Sequence, residues 1–191
     1  MSHTDTTNRA DTESFDGRVD RTLRTALEEV RRVAIATDDS DEALAHVRRV
    51  VLGLARTFGF DVVLYDRSHE RWTVHPHPKG PVNADELEGT DRDHLVRQLR
   101  DFEAAGVAAT AWLATVPALT AMLDVLQSLD VDAVMLPESL DEPKLMDRLQ
   151  IGSTPPAMVQ RIAELNMQRP PLVLQVPESG PITVVDAEVG N

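Results

Sequence analysis

The segment from Pro137 to Thr154, PESLDEPKLMDRLQIGST, lies where a nucleotide-binding chain would place a loop around phosphates. It follows a short apolar run of strand length and closes with Gly152 and Ser153 just before a stretch with helical character. A helix N-terminus attracts anions, because its first N–H groups are unpaired and the helix dipole is positive there. The simpler alternative is that Ser153 or Thr154 only caps the helix.

The interior of this loop is poorly suited to phosphate. Glycine allows the positive φ angles that turn backbone N–H groups inward, and Gly152 is the only glycine in the segment. Pro137 and Pro143 have no N–H to offer. One carboxylate about 4 Å from a phosphate charge costs about 4 kcal/mol at an effective dielectric of 20, and Lys144 and Arg148 offset only part of this. The first half of the loop holds three carboxylates, Glu138, Asp141 and Glu142. We therefore predict that a triphosphate is disfavoured.

Asp38 is a second candidate for ligand binding, because it directly follows the apolar run from Val33 to Thr37. Open α/β sheets bind ligands at the carboxyl ends of their strands, where Asp38 would accept hydrogen bonds from a ribose or an adenine. The alternative is an acidic residue in the polar turn before a helix, close to an N-cap at Ser40.

Other catalytic and metal-binding patterns are weak. His69, Glu70, His75 and His77 are close in sequence, and histidine with carboxylate can bind zinc. Their spacing is that of a loop without a distant ligand pair, so we predict a solvated loop. The chain has no cysteine, which excludes thiol catalysis and disulfides, and it lacks the G-x-S-x-G motif of serine hydrolases. We predict no catalytic residues and no metal site.

Five apolar runs of strand length alternate with stretches of helical periodicity. They occupy residues 33–37, 61–66, 107–113, 132–136 and 172–176. Strands this apolar are buried on both faces, and alternation with helices is typical of a parallel sheet with right-handed crossovers. We therefore predict the α/β class: a doubly wound open sheet of five parallel strands with helices on both faces. PITVVD, from Pro181, predicts an extra C-terminal edge strand.

The rest of the chain predicts a polar leader, one domain and a tail. Residues 1–17 form an acidic leader that we expect to be disordered. Residues 18–186 form a single domain with an N-terminal helix, and residues 187–191 are the tail. The apolar face of that helix packs on its own domain or contacts a second copy. Its members are Val19, Leu23, Ala26, Leu27 and Val30.

The charge and hydropathy of the chain limit its partners and its location. A net charge of −13, from 19 basic and 32 acidic residues, repels nucleic acid and anionic membranes. No apolar run approaches the roughly 20 residues of a membrane span. The leader also lacks the apolar core of a signal peptide. We therefore expect a cytoplasmic protein that binds neither nucleic acid nor membrane.

Residues 32–176 resemble the universal stress protein family in three stretches: RRVAIATDDSDEALAHV, VDAVMLPES, and IGST with RPPLVLQV. The resemblance implies the adenine nucleotide alpha hydrolase-like form of the fold. In ATP-binding members the loop reads Gly, two residues, Gly, nine residues, Gly, then Ser or Thr, and here only Gly152 remains. The resemblance also implies nucleotide contacts by Thr37, Asp38, Leu136, Pro137, Gly152, Ser153 and Thr154.

From this resemblance we predict a non-catalytic binding or regulatory module of a stress response, with no tightly bound ATP. One alternative is a sensor that binds ATP or AMP through the altered loop, and a weaker one is a nucleotide-dependent enzyme of the same superfamily. Family members often pair through their last strand, so we also predict a homodimer through the C-terminal strand. The sequence names no further protein partner.

Overall fold

The computed structural model describes residues 18–38, 41–66, 80–113, 118–138, 155–165 and 167–185. Its helices are α1 (Arg21–Glu28), α2 (Glu42–Phe58), α3 (Ala84–Leu87), α4 (Asp93–Ala104), α5 (Ala118–Ser128) and α6 (Pro155–Glu164). Its strands are β1 (Arg32–Thr37), β2 (Asp61–Asp66), β3 (Gly80–Val82), β4 (Ala109–Leu113), β5 (Ala133–Pro137), β6 (Leu172–Val176) and β7 (Thr183–Val184). The predicted disordered leader and the tail lie outside the described residues.

The strands form one sheet in the order β3-β4-β2-β1-β5-β6-β7. The five inner strands pair in parallel, and β3 and β7 are antiparallel strands at the two edges. From β1 the chain moves outward through β2 to β4, and it then returns to the other side of β1 to form β5 and β6. The predicted doubly wound sheet of five parallel strands is therefore confirmed, as is the extra C-terminal edge strand.

The structure contains an edge strand, β3, that the sequence analysis did not predict. β3 pairs with β4 from Gly80–Leu113 to Val82–Ala111, within a segment that reads as an irregular connection. A strand of three residues is too short to show alternation, and its central Pro81 is tolerated only at a sheet edge. The short helix α3 follows at once, because the Asn83 side chain and the Glu86 side chain form a reciprocal capping box.

Successive residues of the inner strands point to opposite faces of the sheet, and each face has its own core. The first face carries α1, α2 and α4. Its core includes Val33, Ile35, Val62, Leu64, Met135, Leu174, Leu27, Val51, Leu54, Leu95 and Leu99. The second face carries α5 and α6. Its core includes Ala34, Val63, Val134, Val173, Met122, Val125, Leu126 and Ile162. Both faces are therefore covered by helices, as predicted.

α1 packs on its own domain, which decides between the two predicted roles of its apolar face. Leu23 and Leu27 are buried in the first-face core that also holds Leu174 of β6. Arg18, three residues before the helix, also binds the segment that follows β6: Ile182 N–H donates to Arg18 O at 2.8 Å, and Arg18 Nη2 donates to Glu178 O at 2.8 Å.

The N-cap of α2 is Asp41, so the predicted cap at Ser40 is wrong by one residue. Asp41 Oδ1 accepts a hydrogen bond from Leu44 N–H at 3.1 Å, and the helix begins at Glu42. Aspartate and serine cap helices about equally well, so the sequence alone does not choose between adjacent residues. The helix ends at Gly59, whose φ of 79° suits the left-handed conformation that glycine tolerates.

Candidate functional site

The carboxyl edge of the sheet opens between β1 and β5. β1 stays paired with β2 up to Thr37–Asp66, whereas its pairing with β5 ends at Ile35–Met135. β5 itself continues and pairs with β6 up to Pro137–Val176. We call the opening between residues 36–38 and 136–138 the switch-point gap, because the strand order reverses there. Ligands of open α/β sheets bind at such points.

Pro137 explains why the sheet opens at this place. Glu138 N–H donates to Val176 O of β6 at 3.2 Å. N–H groups along a strand point alternately to its two neighbours, so the backbone at position 137 faces β1. Proline has no N–H, and the next bond of the β1–β5 ladder is therefore missing.

Four of the seven predicted site residues meet at this edge. Asp38 is half-buried at the end of β1. Leu136 is buried in the second-face core, and Pro137 is buried at the end of β5. Thr37 is 0% exposed, and its side chain lies on the first face. Their role as nucleotide contacts stays a prediction. Gly152, Ser153 and Thr154 lie outside the described residues.

The start of the predicted phosphate loop offers no backbone donor. Pro137 has no N–H, and the N–H of Glu138 is already bonded to Val176 O. The exposed carboxylate of Glu138 adds negative charge at the same position. A phosphate cradle needs inward-pointing N–H groups, so these two residues work against an anion in the gap.

On the β2 side of β1, a buried polar layer closes the carboxyl edge. It consists of six side chains: Thr37, Arg48, Asp66, Arg92, His94 and Gln98. Thr37 and Asp66 are paired in register at the ends of β1 and β2, and both side chains point to the first face. The other four side chains come from α2, from α4 and from the residue that precedes α4.

The centre of this polar layer is a buried ion pair. Arg92 Nη1 lies 3.0 Å from Asp66 Oδ2, and the two side chains are 4% and 1% exposed. His94 Nε2 lies 3.4 Å from Asp66 Oδ1. A buried pair loses hydration from both charges, so removing either partner leaves an uncompensated charge in the interior.

The hydroxyl of Thr37 links the other half of the polar layer. Thr37 Oγ1 donates to Gln98 Oε1 at 2.6 Å and accepts from Arg48 Nη1 at 3.3 Å. The side chain of Thr37 is thus engaged within the protein.

The sequence analysis missed the polar layer, although two signals were present. In α4 the buried positions are Leu95, Gln98, Leu99 and Phe102, so a polar residue stands in an apolar stripe. Asp66, like Asp38, stands at the carboxyl end of an apolar strand. Neither signal identifies the partner, because that depends on how α4 lies over β2.

Two further expectations concern metals and membranes. Within the described ranges, no three His, Asp or Glu side chains are grouped closely enough to hold a metal ion. The histidines of the 69–77 region lie outside those ranges. Of the helices that the structure describes, none is long and apolar enough to cross a membrane.

Comparison with known proteins finds similar solved structures. No family model and no curated protein matches the chain. A protein from the universal stress protein family of Burkholderia pseudomallei has a TM-score of 0.45 and 16% identity, and the match covers 78% of this chain and 96% of that one. A universal stress protein in complex with cAMP has a TM-score of 0.46 and 17% identity, over 78% of this chain and 98% of that one. This likeness concerns the fold alone, and the family it names is the one that the sequence resembles.

Proposed function

We propose that the chain is a non-catalytic binding module of the universal stress protein type, which acts in a stress response and does not hold ATP tightly. The observation that carries the proposal is the end of β5. There the backbone of residues 137 and 138 donates nothing to a ligand, because Pro137 has no N–H and Glu138 N–H is bonded to Val176 O.

The missing donors have a large effect on affinity. A hydrogen bond to a charged group contributes about 1.5–3 kcal/mol. If both positions donated to phosphate in a competent loop, their loss would raise Kd by roughly 10²- to 10⁴-fold. The carboxylate of Glu138 adds repulsion to this loss. No bound cofactor is therefore expected at cellular ATP concentrations.

A second candidate function is a sensor that binds ATP or AMP mainly through the nucleoside. Asp38 favours this reading, because it lies half-buried at the switch-point gap, where a carboxylate would accept bonds from a ribose or a base. Such a sensor would bind adenosine, AMP and ATP with similar affinity, since the phosphates add little.

Calorimetric titration with adenosine, AMP and ATP tests both readings. We expect no measurable heat from ATP at millimolar concentration. The sensor would replace the first proposal if all three compounds bound with similar affinity, if Asp38→Asn abolished this binding, and if the control Asp61→Asn kept it. Asp61 is an exposed aspartate at the opposite end of β2, which makes it a matched control. Tight binding of ATP alone would contradict both readings.

We also propose a homodimer through the C-terminal strand. The outer edge of the sheet at this side is β7, which pairs with β6 through Leu174–Val184 and Gln175–Thr183. Val184 is 46% exposed, and it is the only large hydrophobic side chain of the described residues with high exposure. An exposed edge strand with an apolar side chain is prone to pair with another chain.

Light scattering at tens of micromolar tests the homodimer. We expect a dimer for the natural chain and a monomer for Val184→Lys, while Thr57→Lys at an exposed position of α2 should stay dimeric. A monomeric natural chain at this concentration would contradict the proposal.

A further inference from the structure

Among the residues that the structure describes, two buried N–H groups of the polar layer have no hydrogen-bond partner. They are Arg92 Nε and Gln98 Nε2. Arg92 is 3% exposed and Gln98 is 1% exposed, so bulk water does not reach either group. Unpaired buried donors are rare in folded proteins, and each one needs an explanation. Both groups are donors, so the partner that would complete the layer must carry acceptors.

The orientation of the Gln98 amide follows from its neighbour. Thr37 Oγ1 lies 2.6 Å from the amide atom that faces it, which is typical of O–H···O bonds and short for N–H···O bonds. Thr37 Oγ1 also accepts a bond from Arg48 Nη1, so its own hydrogen is free to be donated to the amide. The amide therefore turns its oxygen to Thr37 and leaves its NH₂ group without a partner.

The unpaired Nε–H group of Arg92 suits a carboxylate oxygen. Arg92 Nη1 donates to Asp66 Oδ2, and Nε lies on a different edge of the guanidinium. A hydrogen bond between a guanidinium N–H group and a carboxylate is charge-assisted, which favours a carboxylate oxygen as the partner of Nε. The guanidinium of Arg92 offsets the negative charge of Asp66, and His94 Nε2 lies near the other carboxylate oxygen.

Both unpaired groups lie in the same layer of the molecule. Their bonded partners, Thr37 and Asp66, are neighbours in register at the ends of β1 and β2. Adjacent strands are roughly 5 Å apart, so the two donor side chains are anchored at neighbouring strand ends. The layer lies on the first face, under α2 and α4, and is separate from the switch-point gap between β1 and β5.

We propose that the polar layer is a binding site for a small carboxylate ion of about the size of formate. One oxygen of the ion accepts from Arg92 Nε–H, and the other accepts from Gln98 Nε2–H. A single buried water molecule is the competing occupant, since it also supplies acceptors. The two occupants differ in one measurable respect, because only an ion makes the stability of the protein depend on which anion is present.

Thermal unfolding in chloride and in formate tests the proposal. Sodium chloride is replaced stepwise by sodium formate at constant ionic strength and pH 7. We expect a saturable rise in Tm, reaching about 5–10 °C when formate is about 100 times its Kd. Phosphate, which is larger and tetrahedral, should give a smaller rise. Equal Tm values in chloride and formate would overturn the proposal and leave water as the partner.

A matched pair of variants ties the response to this layer. Gln98→Glu keeps the acceptor for Thr37 and replaces the unpaired NH₂ by a negative oxygen, so the formate response should disappear. Gln127→Glu makes the same change at an exposed position of α5 and should respond like the natural chain. A full response in Gln98→Glu would also overturn the proposal. If Gln98→Glu does not fold, the line width of ¹³C-formate titrated with the natural protein decides: saturable broadening supports the site, and an unchanged line excludes it.

Discussion

β1 has two parallel neighbours, and its carboxyl end meets them in different ways. Towards β2 the pairing is complete to the last residue, and the polar layer closes the edge above Thr37 and Asp66. Towards β5 the pairing stops two residues earlier, and Pro137 and Glu138 offer no free N–H group across the gap. The same strand thus has a closed side and an open side.

The two sides use their polar groups differently. Those of the closed side stabilise the fold, and those of the open side lie where a ligand would bind. On the closed side, Arg92 donates to Asp66 and Thr37 donates to Gln98, and all four side chains are buried. On the open side, Asp38 and Glu138 are carboxylates at the margin of the gap. We expect substitutions on the closed side to change the free energy of unfolding, and substitutions on the open side to change little of it.

The largest effect is expected from Asp66→Ala. The substitution leaves the Arg92 guanidinium buried without its carboxylate, which should lower the free energy of unfolding by about 3–5 kcal/mol. Glu164→Ala is the matched control, because it breaks the exposed pair with Arg161 and should cost at most about 1 kcal/mol. Urea unfolding of both variants gives the two values. Equal losses of unfolding free energy in the two variants would mean that the pair of Asp66 and Arg92 does not stabilise the closed side.

A smaller loss is expected from Thr37→Val. The change keeps the shape of the side chain and removes the hydroxyl that joins Gln98 and Arg48, which should cost about 1–3 kcal/mol. Thr57→Val removes a hydroxyl that bonds only Gly53 O on an exposed helix surface, and we expect a change of about 0.5 kcal/mol or less. Urea unfolding measures both variants. A cost for Thr37→Val as small as that of its control would show that the hydroxyl network contributes no net stability.

Pro137→Ala should convert part of the open side into a closed one with almost no net change in stability. The new N–H can donate to β1, which gains about 0.5–1.5 kcal/mol, while the loss of proline costs about 0.4–1 kcal/mol through the unfolded chain. The diagnostic measurement is hydrogen exchange at residue 137, where we expect a protected amide. Rapid exchange there would mean that proline is not what ends the β1–β5 ladder.

No effect is expected from ATP on the natural chain. Millimolar ATP with magnesium should leave Tm within about 1 °C of the value in magnesium alone, whereas binding at 100 times Kd would raise the stability by about 2.7 kcal/mol. Glu142→Gly should behave in the same way, because one added glycine does not supply the donors that Pro137 and Glu138 lack. A rise of several degrees with either protein would make the open side a nucleotide site.

The strands of this fold were predictable because burial on both faces makes them apolar. The run from Leu172 to Val176 was predicted with its observed bounds, and so was the alternation of strands and helices along the chain in the parallel part of the sheet. β3 was not predictable, because its pairing with β4 is non-local and three residues carry no pattern.

The candidate site was only half predictable for a related reason. Asp38 and Pro137 stand beside or within apolar runs, so their position at the carboxyl edge follows from the strands alone. The ion pair of Asp66 and Arg92 joins residues 26 positions apart. It depends on the packing of α4 on β2, which no local sequence pattern encodes.

The bond between the two ends of the domain has a consequence for the order of folding during synthesis. Arg18 precedes α1, and its guanidinium binds the carbonyl oxygen of Glu178, 160 residues later. At a synthesis rate of about 5–20 residues per second, α1 waits roughly 8–30 s for this partner. It also waits for β6, whose Leu174 shares a core with Leu27. An isolated helix of eight residues is unstable in water. The first of the described helices along the chain is therefore among the last to fold, and its docking completes the domain.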